Sequence, residues 1–177
     1  SVNSHLLENK NILVTGASGL FGGWIVEELI NKKANVTCFS HKHPPKSKLD
    51  EIKDNQNIKI VEGDTRDKEA LEILFKNQKF DFVIHLAAQT QVVDAYNNPV
   101  DTFTSNIMGT WNLLETIRII SPETKVIVST SDKAYGVPEE IPTTEKHKLH
   151  GVFPYEFSKS SEDLLSQTYS TTYGLDI

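Results

Sequence analysis

The stretch Asn11–Asn31, NILVTGASGLFGGWIVEELIN, limits what this chain can fold into more than any other. It opens on the apolar run Ile12, Leu13 and Val14 and turns through Gly16, Gly19 and Gly22, spaced three apart. Beyond the turn, Phe21, Ile25 and Leu29 recur every fourth residue and predict one apolar face of a helix. Lys32 and Lys33 are expected in its last turn, where cations complement the helix dipole. Strand, glycine turn and helix in this order make a cradle for a pyrophosphate. Gly16 and Gly19 leave out the Cβ atoms that would block close backbone approach, and Gly22 lets the helix lie tightly on the strand. The helix N-terminus then offers N–H groups and a positive dipole end to the phosphates.

The rest of the chain repeats the alternation. Asn35–Ser40 (NVTCFS), Ile58–Glu62 (IKIVE), Phe80–Leu86 (FDFVIHL) and Lys125–Ser129 (KVIVS) read as the second to fifth strands. The fourth is almost wholly apolar, as a strand covered on both faces should be. Helices are expected at Leu49–Asn55, at Asp67–Asn77 with Leu71, Leu74 and Phe75 inward, and at Val100–Ile120 after the break at Pro99. In the last of these, Phe103, Ile107, Trp111, Leu114 and Ile117 line one face. A final helix, Pro154–Tyr173, ends at Gly174. His41–Lys48, broken by Pro44 and Pro45, and Val137–Phe153 read as loops, the second long enough to shape a substrate entrance. Ser1–Lys10 reads as a loose lead-in and Leu175–Ile177 as the start of a sixth strand. This order predicts an α/β fold, a doubly wound parallel sheet of the Rossmann kind, in one domain spanning residues 1–177. Ligands in such sheets lie beyond the carboxyl ends of the strands, at the switch point.

Composition narrows the partners. A net charge of −6 argues against nucleic acid, and no basic run suggests a membrane surface. The single cysteine, Cys38, has no internal disulfide partner, which points to a reducing, cytoplasmic setting. Neither a secretory leader nor a membrane-spanning segment is expected, because no 18-residue apolar stretch occurs. His41 with His43, and His147 with His150, have no acidic or Cys companions, so no metal is expected. His85 reads as a strand residue.

Chemistry gathers at the predicted strand ends. Tyr155 and Lys159 stand one helical turn apart and project from one face. A phenol titrating near pH 10 is a poor base at neutrality, but an ammonium one turn away stabilises its anion. The same Lys159 can reach ribose hydroxyls. Ser129-Thr130-Ser131-Asp132-Lys133 follows the fifth strand and carries hydroxyls beside an acid and a base. Asp64 and Thr65, in EGDTRD, end the third strand or cap the helix that follows.

The spacing G-x-x-G-x-x-G after Thr15 resembles the extended branch of the short-chain dehydrogenase/reductase family, the nucleotide-sugar epimerases and dehydratases. His85–Arg118 (HLAAQTQVVDAYNNPVDTFTSNIMGTWNLLETIR) resembles the 4,6-dehydratases of the CDP-glucose type within it. Ser131-Asp132-Lys133 before Tyr135, and Pro154-Tyr155 before Ser158-Lys159, continue the likeness. The resemblance implies a redox-neutral elimination of water through a 4-keto intermediate. Tyr155 would take the C4 hydroxyl proton as hydride passes to a nicotinamide. Ser131 would hydrogen-bond the substrate hydroxyl, with Thr130 one position away. Asp132 would protonate the departing C6 hydroxyl, and Lys133 would remove the C5 proton. A 4-epimerase or reductase of the same family would not need Asp132 and Lys133, and a cofactor-bound scaffold without turnover is a further alternative.

The cofactor implied is NAD or NADP, held by Gly16, Ser18, Gly19, Leu20, Phe21 and Gly22 in the turn. Ser40, Asp64 and Thr65 are expected beside the adenosine, and Leu86, Ala87, Ala88 and Gln89 beneath the nicotinamide. Asn106, Ser129, Tyr155 and Lys159 complete that set, Asn106 by ordering the site. NAD-binding sheets usually end the second strand on an acid. Ser40, His41 and Lys42 stand there, which leaves NAD against NADP open. A nucleotide-sugar is the implied substrate and a homodimer the implied assembly, with Trp111 and Leu114 contributing to the contact. Members of this branch continue into a smaller sugar-gripping domain, which this chain is expected to lack.

Overall fold

A computed structural model describes residues 5–41, 47–137 and 141–177. Lys42, His43, Pro44 and Pro45, which bear on the cofactor and loop expectations, lie outside the described residues. Five parallel strands form one sheet in the order β3-β2-β1-β4-β5. They are β1 (Asn11–Thr15), β2 (Asn35–Ser40), β3 (Ile58–Glu62), β4 (Phe82–His85) and β5 (Lys125–Val128). The order reverses at β1, which pairs with β2 on one side and β4 on the other. A crevice therefore opens above the ends of β1 and β4, where Thr15 aligns with His85.

Successive β1 residues point to opposite faces and seed two cores. Ile12 and Val14 pack with Val26, Leu29, Val36, Cys38 and Leu49, under α1 (Gly22–Asn31) and α2 (Lys48–Ile52). Leu13 packs with Phe39, Leu71, Phe75, Val83, Leu113, Leu114 and Ile117 on the other face. That face is covered by α3 (Lys68–Asn77) and the C-terminal helices. Truncating one of these side chains, such as Leu114→Ala, costs about 2–5 kcal/mol. Cys38, in the middle of β2, is fully buried, and burial pushes its thiol up to about 12.

Several local expectations are corrected. The inward face of α1 is Gly22, Gly23, Val26 and Leu29, and Phe21 is 72% exposed. The shift has a packing cause: a Cβ on Gly23 would sit 2.7 Å from the Leu49 backbone nitrogen, so α2 presses where only glycine fits. Lys32 is the cap of α1, and Lys33, with φ of 61°, lies beyond it. The helix α2 covers Lys48–Ile52, shorter than expected, and β4 and β5 are trimmed to Phe82–His85 and Lys125–Val128.

A further helix, α4 (Val92–Asn97), precedes Pro99. The long helix then runs as α5 (Pro99–Phe103), a wide π-type turn over Thr104–Met108, and α6 (Gly109–Ile120). Asn98 caps α5 by accepting from the Asp101 amide. Leu114 is fully buried and cannot contribute to a contact between chains, while Trp111 is partly exposed and donates its indole N–H to the Tyr169 hydroxyl at 2.9 Å. The last helix, α7 (Pro154–Tyr173), is closed by Gly174 in the left-handed conformation. Beyond it the Val126 amide donates to the Asp176 carbonyl at 2.8 Å, so the chain begins to lie along β5. Among the described residues no helix is long and apolar enough to cross a membrane.

Candidate functional site

A cleft of about 930 Å³ occupies the crevice above the strand ends. Its wall includes Gly16, Ser18, Gly19, Leu20, Phe21, Gly22, Ser40, Asp64, Thr65, Leu86, Ala87, Ala88, Gln89, Ser129, Tyr155 and Lys159. The glycine turn fits a closely approaching anion. A Cβ on Gly19 would meet only the Gly16 carbonyl, at 3.2 Å, so this position is open on its cleft side. Gly16 and Gly22 are glycines for another reason. Gly16 has φ of +68°, and a Cβ there would stand 2.7 Å from the Ala87 amide; one on Gly22 would lie 2.4 Å from the Gly16 carbonyl. They set the turn itself, and Gly19 clears its mouth.

At the end of β2, the Ser18 and Ser40 hydroxyls meet at 2.6 Å. Next to them Arg66, which sequence reading did not single out, also lines the cleft. Its guanidinium grips Asp64 at 2.6 Å and reaches Asp101 at 3.0 Å. Partial burial works to raise the Asp64 carboxyl, but Arg66 outweighs it and holds the group below the usual carboxylate range. The cap of α3 is Asp67, which accepts from the Ala70 amide, so Asp64 is left to hold Arg66 at the cleft.

Behind the opposite wall runs a series of buried polar groups. The Leu86 and Ala87 amides both donate to the Thr15 hydroxyl at 3.2 Å. Thr15 lies 2.6 Å from His85 Nδ1, and His85 Nε2 lies 2.9 Å from the Thr110 hydroxyl. Thr110 donates to Glu162 Oε1 at 2.9 Å, and Glu162 Oε2 meets the Lys159 ammonium at 2.6 Å. Lys159 also donates to the Ser129 carbonyl at 3.3 Å. The protons can be placed. A carboxylate only accepts, so Thr110 spends its one proton on Glu162 and must accept from His85 Nε2–H. His85 Nδ1 then accepts from Thr15. Burial, and secondarily the charge on Lys159, drives the imidazole down to about 3, so it is neutral as this order requires. Burial raises the Glu162 carboxyl, against the pull of Lys159 and Thr110.

Asn106 is not on the cleft wall. It lies fully buried behind it, where Oδ1 accepts from the Gln89 amide at 2.7 Å and Nδ2 donates to the Gln89 carbonyl and Ser158 hydroxyl. It clamps the loop after β4 to α7. Ser131 also faces elsewhere: its hydroxyl accepts from the Lys133 amide at 3.2 Å and caps a tight 3-10 turn over Asp132–Tyr135. Thr130, not Ser131, lines the cleft. Asp132 and Lys133 are exposed on that turn, outside the cleft wall. The turn is fastened to α7, because Ser160 donates to the Ala134 carbonyl at 2.5 Å. Glu162 and Thr110 were not singled out in the sequence either. The i, i+3 spacing of Lys159 and Glu162 was readable, but only the fold shows that both are buried. Among the described residues no three His, Cys, Asp or Glu side chains are grouped to hold a metal.

The family described as GDP-mannose 4,6 dehydratase matches residues 13–177. UDP-glucose 4-epimerase of Pisum sativum is 34% identical over 158 residues, covering 85% of this chain and 45% of that protein. CDP-glucose 4,6-dehydratase of Salmonella typhimurium is 30% identical over 174 residues, covering 97% of this chain and 48% of that one. The solved structure of dTDP-glucose 4,6-dehydratase from Bacillus anthracis, in complex with NAD, superposes with a TM-score of 0.80 at 27% identity. It matches 94% of this chain and 52% of its own. The chain thus spans about half the length of the relatives it matches. With the glycine turn, the parallel sheet and the cleft at its switch point, these matches place the chain in the nucleotide-sugar epimerase/dehydratase branch of the extended short-chain dehydrogenases/reductases.

Proposed function

We propose that residues 1–177 form the cofactor-binding domain of a nucleotide-sugar 4,6-dehydratase that uses bound NAD or NADP. One observation carries the choice of reaction: the turn bearing Asp132 and Lys133 is tied through Ala134 to Ser160, on the helix that presents Tyr155 and Lys159 to the cleft. The turn that carries an acid and a base is thus held against the helix that presents a phenol and an ammonium to the cleft. The dinucleotide would lie with its pyrophosphate over Gly19 and the α1 N-terminus, its adenosine by Ser40, Asp64 and Arg66, and its nicotinamide end by Ala87, Ala88, Tyr155 and Lys159. When bound, it supplies a reversible hydride acceptor for the sugar C4.

The protein's own groups do the proton work. Tyr155 accepts the C4 hydroxyl proton, helped by the Lys159 charge, and Thr130 orients that hydroxyl. Lys133 takes the C5 proton, made acidic by the neighbouring C4 ketone, and Asp132 protonates the C6 hydroxyl as it leaves. The test is isotopic. In the intact protein, a nucleotide-diphosphate hexose turned over in D₂O should gain deuterium at C5, with the C4 hydrogen moved to C6. Product inverted at C4 with protium at C5 would refute elimination and support the 4-epimerase reading, which the 34% identity to a 4-epimerase favours.

A further inference from the structure

The proton steps above leave Glu162 without a task, although it is one of the most deeply buried carboxyls in the chain. It stands one turn after Lys159 on α7, with 1% of its side chain exposed against 4% for the lysine. A charge this deep is costly unless an opposite charge faces it. The other contact to Lys159, the Ser129 carbonyl, carries no charge. From the neighbouring elements, β4 presents His85, which is neutral, and α6 presents the Thr110 hydroxyl. On α7 itself Tyr155 stands one turn before Lys159, on the cleft wall. Among the described ion pairs, Glu162 is the acid that Lys159 meets.

We propose that Glu162 is the positioning residue of Lys159: its carboxylate pairs with the ammonium inside the wall and fixes it towards the cleft, and the Thr110–His85–Thr15 series keys that pose to the glycine turn. The inference rests on the dinucleotide reading of the cleft. The series is a brace rather than a proton route. Thr15, His85, Thr110 and Glu162 are buried behind the cleft wall, so none of these four hands a proton to bulk water. Its direction is fixed, with every hydrogen pointing from the Ala87 amide towards Glu162. A change in one link leaves its neighbour with an unmet donor or acceptor. The ends of the brace stand by the middle and by one end of the proposed dinucleotide, Thr15 before the pyrophosphate turn and Lys159 by the nicotinamide ribose.

The test measures NADH and NADPH binding by fluorescence in the intact protein at pH 6.5 and 8.5, with folding checked by circular dichroism. In Glu162→Gln, the amide still accepts from Thr110 but no longer holds a charge against Lys159. Its affinity should fall by about tenfold at both pH values as the ammonium loses its charged partner and its pose, while Glu162→Asp restores the wild-type affinity. A folded Glu162→Gln protein with wild-type affinity at both pH values overturns the proposal. Failure of the wild type to bind either dinucleotide removes the reading of the cleft instead, and the ion pair is then decided without ligand. Glu162→Leu should lower the urea unfolding midpoint, and adding Lys159→Met should recover most of the loss, because a matched apolar pair replaces a buried ion pair well. The same pair of variants decides the matter if Glu162→Gln fails to fold. Equal losses from Glu162→Leu with and without Lys159→Met overturn the proposal.

Discussion

The two sides of the cleft are built by different means. The wall that carries Lys159 stands on strand ends and helix interiors, and its polar groups are paired in a fixed order from Thr15 to Glu162. The rim that carries Asp132 and Lys133 is one exposed 3-10 turn, held at Ala134 by Ser160. The first arrangement sets side chains to within a rotamer before any ligand arrives. The second places an acid and a base but leaves their side chains to solvent. The cleft wall is therefore set by the sheet and its helices, whereas the pose of the Asp132 and Lys133 side chains is not.

The sharpest way to break this contrast is at the glycines. Gly16→Val forces a branched side chain into a left-handed conformation against the Ala87 backbone, and should cost at least about 3 kcal/mol. Loss of the cooperative thermal transition is the expected result. Gly19→Val, whose added bulk points into open cleft, should keep that transition and abolish dinucleotide binding by calorimetry. If both variants unfold alike, the turn is a structural element and not a mouth.

Asp132→Asn comes next. Turnover of the intact protein should drop about 10²–10⁴-fold, the usual worth of a general acid, with NADH affinity unchanged. A normal rate would leave the rim without a role in the chemistry.

His85 gives a smaller effect that belongs to the wall alone. In the fold it takes up a proton only near pH 3, whereas in the unfolded chain it does so near pH 6.5. The unfolded state thus binds more protons between these values, and stability falls as the pH drops below 6.5, by up to about 1.4 kcal/mol per unit. Glu162 has the opposite sign: its raised carboxyl takes up a proton more readily in the fold, so its share grows as pH falls. The His85 contribution is isolated by comparing urea unfolding of the wild type and His85→Gln at pH 7.5 and 5.0. The variant should lose less stability on acidification, and parallel losses would contradict a buried neutral imidazole. The smallest effect is expected at the rim, where Asp132→Asn and Lys133→Met should shift the unfolding free energy by no more than about 0.5 kcal/mol.

Much of this was legible in the sequence because it rests on periodicity and on glycine. The five strands, their parallel order and the cleft at the switch point follow from the alternation of elements and the Gly16-Gly19-Gly22 turn. Local patterns misled where tertiary contact decides. Phe21 fits the apolar helical face, yet Gly22 and Gly23 take the inward place because α2 packs against them. Asn106 is a polar residue near the site by any reading, but its partner Gln89 is 17 residues away and its own burial is invisible in the chain. The same holds for Thr110 and Glu162, 52 residues apart and joined by one hydrogen bond. The choice between the neighbouring hydroxyls of Thr130 and Ser131 is made by the turn, not by the pattern.

Cys38 gives the molecule a clock. Thiolate is the form that reacts with alkylating agents, and a group held near 12 and sealed in the middle of β2 has almost none at neutral pH. Labelling must wait for that half of the sheet to come apart, so its rate counts openings of the core beneath α1 and α2. A dinucleotide resting on the ends of β1 and β2 would stabilise the closed sheet and slow the clock in proportion to its occupancy. One thiol, followed by mass spectrometry with and without NADH, would then report ligand binding from inside the protein, at a position the ligand never touches.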